Sequence, residues 1–70
     1  MTFTATTALP YPYLERAAAG LRAELRHQLL AHGHDADWTT FDVAGPTEVP
    51  DVLGRKWYEY QATVHTVVGP

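Results

Sequence analysis

The sequence predicts an α+β domain in which one long helix packs on a three-stranded antiparallel sheet, in the chain order βαββ. Residues 12–32 repeat apolar side chains every three or four positions, which is the period of a helix. Residues 2–9, 38–44 and 56–68 are rich in β-branched and aromatic side chains, which favour strands. The chain has only 70 residues, so we expect a single small domain over 1–70.

The first predicted strand covers residues 2–9. Apolar residues, Phe3 among them, alternate there with threonines at a period of two. Pro10 and Pro12 follow, and each lacks the amide N–H that a strand ladder needs. Pro12 also suits the first position of a helix. We therefore expect an edge strand that ends before Pro10 and a helix that begins near Pro12.

The predicted helix runs from Pro12 to about His32 and has one strong apolar stripe. His32 suits the negative end of the helix dipole, and Gly33 favours the left-handed conformation that ends many helices. The stripe consists of Leu14, Ala18, Leu21, Leu25 and Leu29.

A weaker apolar line lies on the opposite side of the same helix. It contains Ala19, Ala23 and Leu30. Leu30 is hard to bury in a monomer. Gly20 costs roughly 1 kcal/mol relative to alanine inside a helix, a cost that a closely packed neighbouring backbone would offset.

The second strand is predicted over residues 38–44, with Phe41 and Val43 facing the helix and Trp38 on the opposite face. Residues 45–55 contain two prolines and two glycines, which predicts a long loop or wide hairpin connection.

The third strand, residues 56–68, is the strongest strand prediction. Alternation divides it into two faces. The helix side receives Tyr58, Tyr60, Ala62, Val64 and Val68, and the opposite side receives Trp57, Glu59, Gln61, Thr63 and His65.

Trp38 and Trp57 are therefore both predicted on the sheet face that a single helix leaves uncovered. Three interpretations stay open. The indoles are peripheral core tucked under the loop at 45–55, or they form a subunit interface, or they stack on a flat small molecule.

Composition excludes several classes of function. The net charge is −3, so the broad positive field that nucleic acid binding needs is absent. Without cysteine there is no disulfide, thiolate metal site or cysteine nucleophile. No leader-like or membrane-spanning apolar run is visible, which predicts a cytoplasmic protein. The lack of serine, asparagine and isoleucine beside many alanines is expected of a GC-rich bacterial genome.

The sequence does not favour an enzyme or a metal site. No serine is present, and no threonine lies in a recognisable base-assisted setting. His27, His32 and His34 offer metal-ligating types, but His27 and His32 are five residues apart and lie on different helical faces. A helix cap and a solvated turn explain these histidines, so we expect no catalytic residues and no metal ligands.

Two short motifs resemble those of the dodecins, small bacterial flavin-storage proteins. Asp37-Trp38 and the strand after it resemble the start of the family's second strand, and Gln61-Ala62-Thr63-Val64 resembles its Gln-x-Thr strand. In that family the tryptophan stacks on the flavin ring, and the glutamine hydrogen-bonds to the ring edge inside a hollow dodecamer. The resemblance implies these roles for Trp38 and Gln61, with FMN or riboflavin as the ligand.

We therefore expect a non-enzymatic homo-oligomeric binding module, with Trp38, Gln61 and Trp57 as ligand-binding residues. The alternative is a protein-interaction module, such as a small accessory, immunity or phage-type regulator, that docks a protein through Trp57, Tyr58 and Leu30. A weaker third hypothesis is a small enzyme or metal site at the histidines.

Overall fold

The computed structural model describes residues 1–67, and Val68, predicted at the end of the third strand, lies outside the described residues. The elements in chain order are strand β1 (Thr2–Leu9), helix α1 (Leu14–Ala31), strand β2 (Ala36–Pro50) and strand β3 (Lys56–Thr66). Strand β3 lies in the middle of the sheet and pairs antiparallel with both neighbours. The predicted βαββ fold is confirmed, and so is the edge position of β1. No helix of the described chain has the length and apolar composition needed to cross a bilayer.

The core lies between α1 and one face of the sheet. Leu21, Leu25 and Leu29 are fully buried, as the helical stripe predicts. Leu14 is 53% exposed because it is the first helical residue and lies at the end of that stripe. Within residues 1–67, the other buried residues are Ala5, Ala17, Tyr60, Ala62 and Val64. The last three confirm the face predicted for β3.

Helix α1 ends as the sequence predicts but begins two residues later than Pro12. Its C-cap is His32, and Gly33 has a φ of +71°. The His34 amide donates to the Leu29 carbonyl at 2.9 Å, and the Gly33 amide donates to the Leu30 carbonyl at 3.2 Å. These are the two hydrogen bonds of a Schellman motif, which satisfies carbonyls that the helix end leaves free.

Strand β2 is longer than predicted, and the prediction of a loop over 45–55 is wrong for its first half. Residues 45–50 continue β2, and only residues 51–55 form the connection to β3. Prolines fit here because β2 is an edge strand and because the register shifts between Ala44 and Thr47.

Gly45 allows β2 to approach β3 closely. Its φ is +124°, and a Cβ built there would lie 2.7 Å from the Glu59 carbonyl oxygen. We expect Gly45→Ala to lower the free energy of unfolding by more than about 1 kcal/mol, because the left-handed conformation and the clash add. Urea unfolding followed by circular dichroism measures this loss. An unchanged midpoint would show that the close approach is not needed.

The prediction that Trp38 lies on the uncovered face is wrong. Asp37 pairs with His65 and Asp42 pairs with Thr63, so five residue steps of β2 lie against two steps of β3. The three extra residues form an irregular bulge, and an odd number of extra residues reverses the side to which the flanking side chains point. Trp38 therefore packs against the core on the same side as Phe41.

Candidate ligand-binding site

The bulge that turns Trp38 toward the helix is held by short-range hydrogen bonds. Asp37 Oδ1 accepts from the Thr39 hydroxyl at 2.6 Å and from the Thr39 amide at 3.2 Å. The Thr40 hydroxyl donates to the Asp37 carbonyl at 2.7 Å, and the His65 amide donates to Thr40 Oγ1 at 2.9 Å. These side chains form hydrogen bonds to backbone N–H and C=O groups that the interrupted strand ladder leaves without a backbone partner. Trp38 is thus positioned by its own neighbours in the sequence.

The Trp38 indole is half-buried, and polar and apolar groups surround it. Its ring meets Phe41 edge-on, with 5.8 Å between the centroids. The Arg22 guanidinium carbon lies 4.7 Å from the indole centroid, which is a cation–π contact from α1. Trp38 also borders an open depression of about 220 Å³, whose other lining residues are Arg26, Leu29, Leu30, His34, Asp35 and Ala36. The indole is therefore packed on one side and accessible on another.

Gln61 lies on the other side of the sheet. It is exposed, pairs with Thr6 on β1 and Ala44 on β2, and belongs to the uncovered face as predicted. Asp37, the neighbour of Trp38, pairs with His65, four residues further along β3. At about 3.3 Å per residue, this separates the two positions by roughly 13 Å along the strand. One chain therefore does not bring Trp38 and Gln61 to the same ligand.

Trp57 lies on the uncovered face, as predicted, at the hairpin end of β3. It is half-buried and pairs with Val49 on β2. Its indole N–H donates to Asp51 Oδ2 at 2.9 Å, and Arg55 Nε donates to the same oxygen at 2.9 Å. The interpretation of this indole as peripheral core under the connecting segment is thus partly correct, because Asp51 in that segment accepts a hydrogen bond from the indole N–H.

Asp51 organises the hairpin connection, and its hydrogen-bond donors favour the ionised carboxylate. The pKa of Asp51 lies below its ordinary value of 3.8, chiefly because the Trp57 indole donates to the carboxylate. Partial burial opposes this effect, while the backbone amides of Arg55 and Leu53 and the Arg55 side chain support it. Each of these donors binds the charged form more strongly than the neutral form.

A pH titration is expected to show this dependence. A depressed carboxyl pKa contributes stability in full above pH 3.8, and the contribution is lost as the pH falls through the lower folded value. We expect Trp57 fluorescence to change in that acidic range, and we expect Asp51→Asn to remove the transition. Trp57 emission that changes equally in Asp51→Asn would contradict this assignment.

The histidines occupy separate places. The rings of His32 and His34 flank Phe3, with centroids 5.7 and 5.8 Å from its ring. His65 Nδ1 lies 2.8 Å from the Thr2 hydroxyl, and His27 lies on the outer side of α1. Within residues 1–67, no three His, Asp or Glu side chains are close enough together to hold a metal ion.

The residues predicted as a protein interface do not form one surface. Trp57 points to the uncovered face, and Tyr58 packs against the core on the helix side. Leu30 is 69% exposed, as the sequence predicts, and borders a shallow groove on the outer side of α1. A partner that touches all three would have to contact three sides of the domain.

Arg22 is the site residue that sequence reasoning missed. Its place on α1, one turn before Arg26, is typical of a solvated helix face. Arg22 nevertheless reaches Trp38, because the bulge in β2 moves the indole to the helix side. The sequence does contain a sign of this bulge, namely the run Asp37-Trp38-Thr39-Thr40. Asp and Thr side chains often form hydrogen bonds to nearby backbone groups and so favour irregular backbone.

Comparisons of this chain with family models, with curated proteins and with solved structures found no match in any of the three. The likeness to dodecins is therefore a resemblance of two short motifs.

Proposed function

We propose that this chain is a non-enzymatic, homo-oligomeric binding module that holds the isoalloxazine ring of FMN or riboflavin against Trp38. The observation that carries the proposal is the position of Trp38: its indole is fixed by the core on one side and borders an open depression on the other. A rigid, partly exposed indole is well suited to stacking on a flat aromatic ring. The resemblance to dodecins supports a flavin as that ring.

Arg22 does not prevent this stacking. A cation–π contact at an exposed site is worth about 0.5–1 kcal/mol. Stacking of a flat heterocycle on an aromatic side chain is worth about 1–3 kcal/mol. A flavin ring can therefore displace the guanidinium from the Trp38 face with a net gain.

The proposal requires a second copy of the chain. Because Trp38 and Gln61 lie on opposite sides of the same sheet, a flavin stacked on Trp38 would receive Gln61 from a neighbouring copy. Self-association also fits the thin core, which has eight buried apolar residues within residues 1–67, and the exposed apolar side chains Leu30, Val52 and Leu53. Measured along β3, Trp57 lies four residues before Gln61, and the position beside Trp38 lies four residues after it. Trp57 would contact the ligand only from the uncovered face.

Fluorescence titration tests the proposal. Riboflavin and FMN are mixed with increasing protein, and stacking on an indole is expected to quench flavin emission. A mixture of Trp38→Leu and Gln61→Ala chains should regain part of the quenching if the two residues of one site come from different copies. Unchanged flavin emission at micromolar wild-type protein would remove the flavin proposal.

A protein-interaction module is the second candidate, and one observation favours it. Trp57 and Val49 pair on a sheet face that no element of residues 1–67 covers, and Trp57 is an amphipathic anchor of the type common in interfaces. Chemical labelling of Trp57, with and without flavin, separates the candidates. If the ring stacks on Trp38, flavin should protect Trp38 from the label and leave Trp57 unchanged, whereas a protein-interaction module without a flavin site should show protection of neither indole.

A further inference from the structure

The outer edge of β1 lacks the features that normally keep edge strands apart. Its eight residues, Thr2–Leu9, contain no proline and no charged side chain, and its pairing with β3 runs without a register shift. The other edge, β2, carries two register shifts, two prolines and acidic residues. Bulges, prolines and charges are the devices that block pairing between edges. The sheet therefore has one protected edge and one open edge.

The charge distribution favours a second copy of this chain as the partner of β1. The chain carries a net charge of −3, so two copies repel each other overall. Residues 1–14 contain no charged side chain, and pairing of β1 with itself thus places no like-charged side chains of the two strands opposite each other. In the register centred on Ala5, Thr4 of one copy lies opposite Thr6 of the other, and such threonine pairs stabilise antiparallel strands.

Gly20 lies beside the same open edge. It lines a cleft between α1 and β1 together with residues 4–7, Leu21, Glu24 and Gln28. A Cβ added at Gly20 would meet nothing within 4 Å, so the described part of the chain makes no close approach that would require glycine there. Glycine within a helix is unfavourable by about 1 kcal/mol relative to alanine. A neighbouring molecule that packs closely against α1 would explain its presence.

We propose that β1 pairs antiparallel with β1 of a second copy, so that the two sheets form one six-stranded sheet across a two-fold axis. An axis perpendicular to the sheet places both helices on the same side, where they lie antiparallel beside each other. Small residues at a helix contact allow the backbones to approach closely, and Gly20 would supply that contact. This inference rests on the homo-oligomeric part of the proposed function and specifies one surface through which the copies associate. The contact that brings Gln61 of one copy to Trp38 of another is a separate one, because these residues lie on opposite faces of the joined sheet.

Lysine substitutions on β1 test the pairing. Thr4 and Thr6 are exposed, so Thr4→Lys with Thr6→Lys should leave the fold intact while it places like charges across the strand pair. We expect native mass spectrometry to show dissociation at this edge and a dissociation constant raised by at least about tenfold. The matched control, Thr47→Lys with Glu48→Gln, changes the net charge by the same two units at exposed positions of β2 and should retain the wild-type mass.

Charge complementation identifies the partner strand. Chains with Thr4→Glu and Thr6→Glu should also dissociate alone, and should form mixed dimers when combined with the lysine chains. Gly20→Leu should weaken association while it leaves the thermal stability of the separated chain unchanged or higher, because the cleft is open.

Two outcomes would overturn the pairing. A wild-type oligomer whose mass the lysine substitutions do not change would exclude the β1 edge and leave the oligomeric module standing. A wild-type monomer of 7.8 kDa would overturn both.

Discussion

Leu25→Ala is expected to unfold most of the protein at 25 °C. Leu25 is completely buried between α1 and the sheet. Truncation of a buried leucine to alanine costs about 2–5 kcal/mol, and a core of this size rarely supplies more than about 3–5 kcal/mol in total. Far-ultraviolet circular dichroism with urea titration measures the loss. A Leu25→Ala protein with wild-type stability would show that α1 does not present this face to the sheet.

Leu30→Ala is the matched control, because it makes the same change in the same helix. Leu30 is 69% exposed, so its truncation should alter the free energy of unfolding by no more than about 0.5 kcal/mol in the separated chain. A loss above about 1 kcal/mol that appears only at protein concentrations where the copies associate would show that a second molecule covers this side of α1.

Trp38→Leu is expected to weaken flavin binding by about 5- to 150-fold. The substitution keeps an apolar side chain against Phe41 but removes the stacking surface, which is worth about 1–3 kcal/mol. The measurement is the dissociation constant for FMN from fluorescence quenching, with circular dichroism to confirm that the variant is folded.

Trp57→Leu is the control for that experiment, since Trp57 is the second tryptophan and lies on the other face of the sheet. It should change the FMN dissociation constant by less than about threefold, on the order of 0.6 kcal/mol. The reverse pattern, with Trp57→Leu losing binding and Trp38→Leu retaining it, would place the ligand on the uncovered face beside Gln61.

Elements with uninterrupted periodicity could be predicted from the sequence. Leu21, Leu25 and Leu29 keep helical spacing from end to end, and β3 alternates without a break, so Tyr60 and Gln61 fall on the predicted faces. Such elements obey one simple repeat, and the repeat directly gives the side on which each residue lies.

The face of Trp38 could not be predicted by counting alternate residues. Counting back from Phe41 assumes a regular strand, and the three extra residues between Asp37 and Asp42 reverse the result. The hydrogen bonds of Thr39 and Thr40 favour this irregular backbone. The same residue types also favour turns and helix N-termini, so their effect depends on the strand with which they pair.

The length of β2 also depended on the tertiary structure. Gly45 and Pro46 are typical of loops, yet an edge strand accommodates them because one of its sides needs no partner and a register shift absorbs the extra residue. Likewise, the residue types of the candidate site were visible in the sequence, whereas the contact of Arg22 with Trp38 arises only when α1 and β2 pack together.

The most direct test of the proposed function is native mass spectrometry of the wild-type protein purified from its own host, together with its absorption spectrum. We expect a yellow particle of several 7.8 kDa chains that carries flavin, and loss of that flavin on Trp38→Leu without loss of the particle. A colourless 7.8 kDa monomer that takes up no FMN would contradict both the oligomer and the ligand.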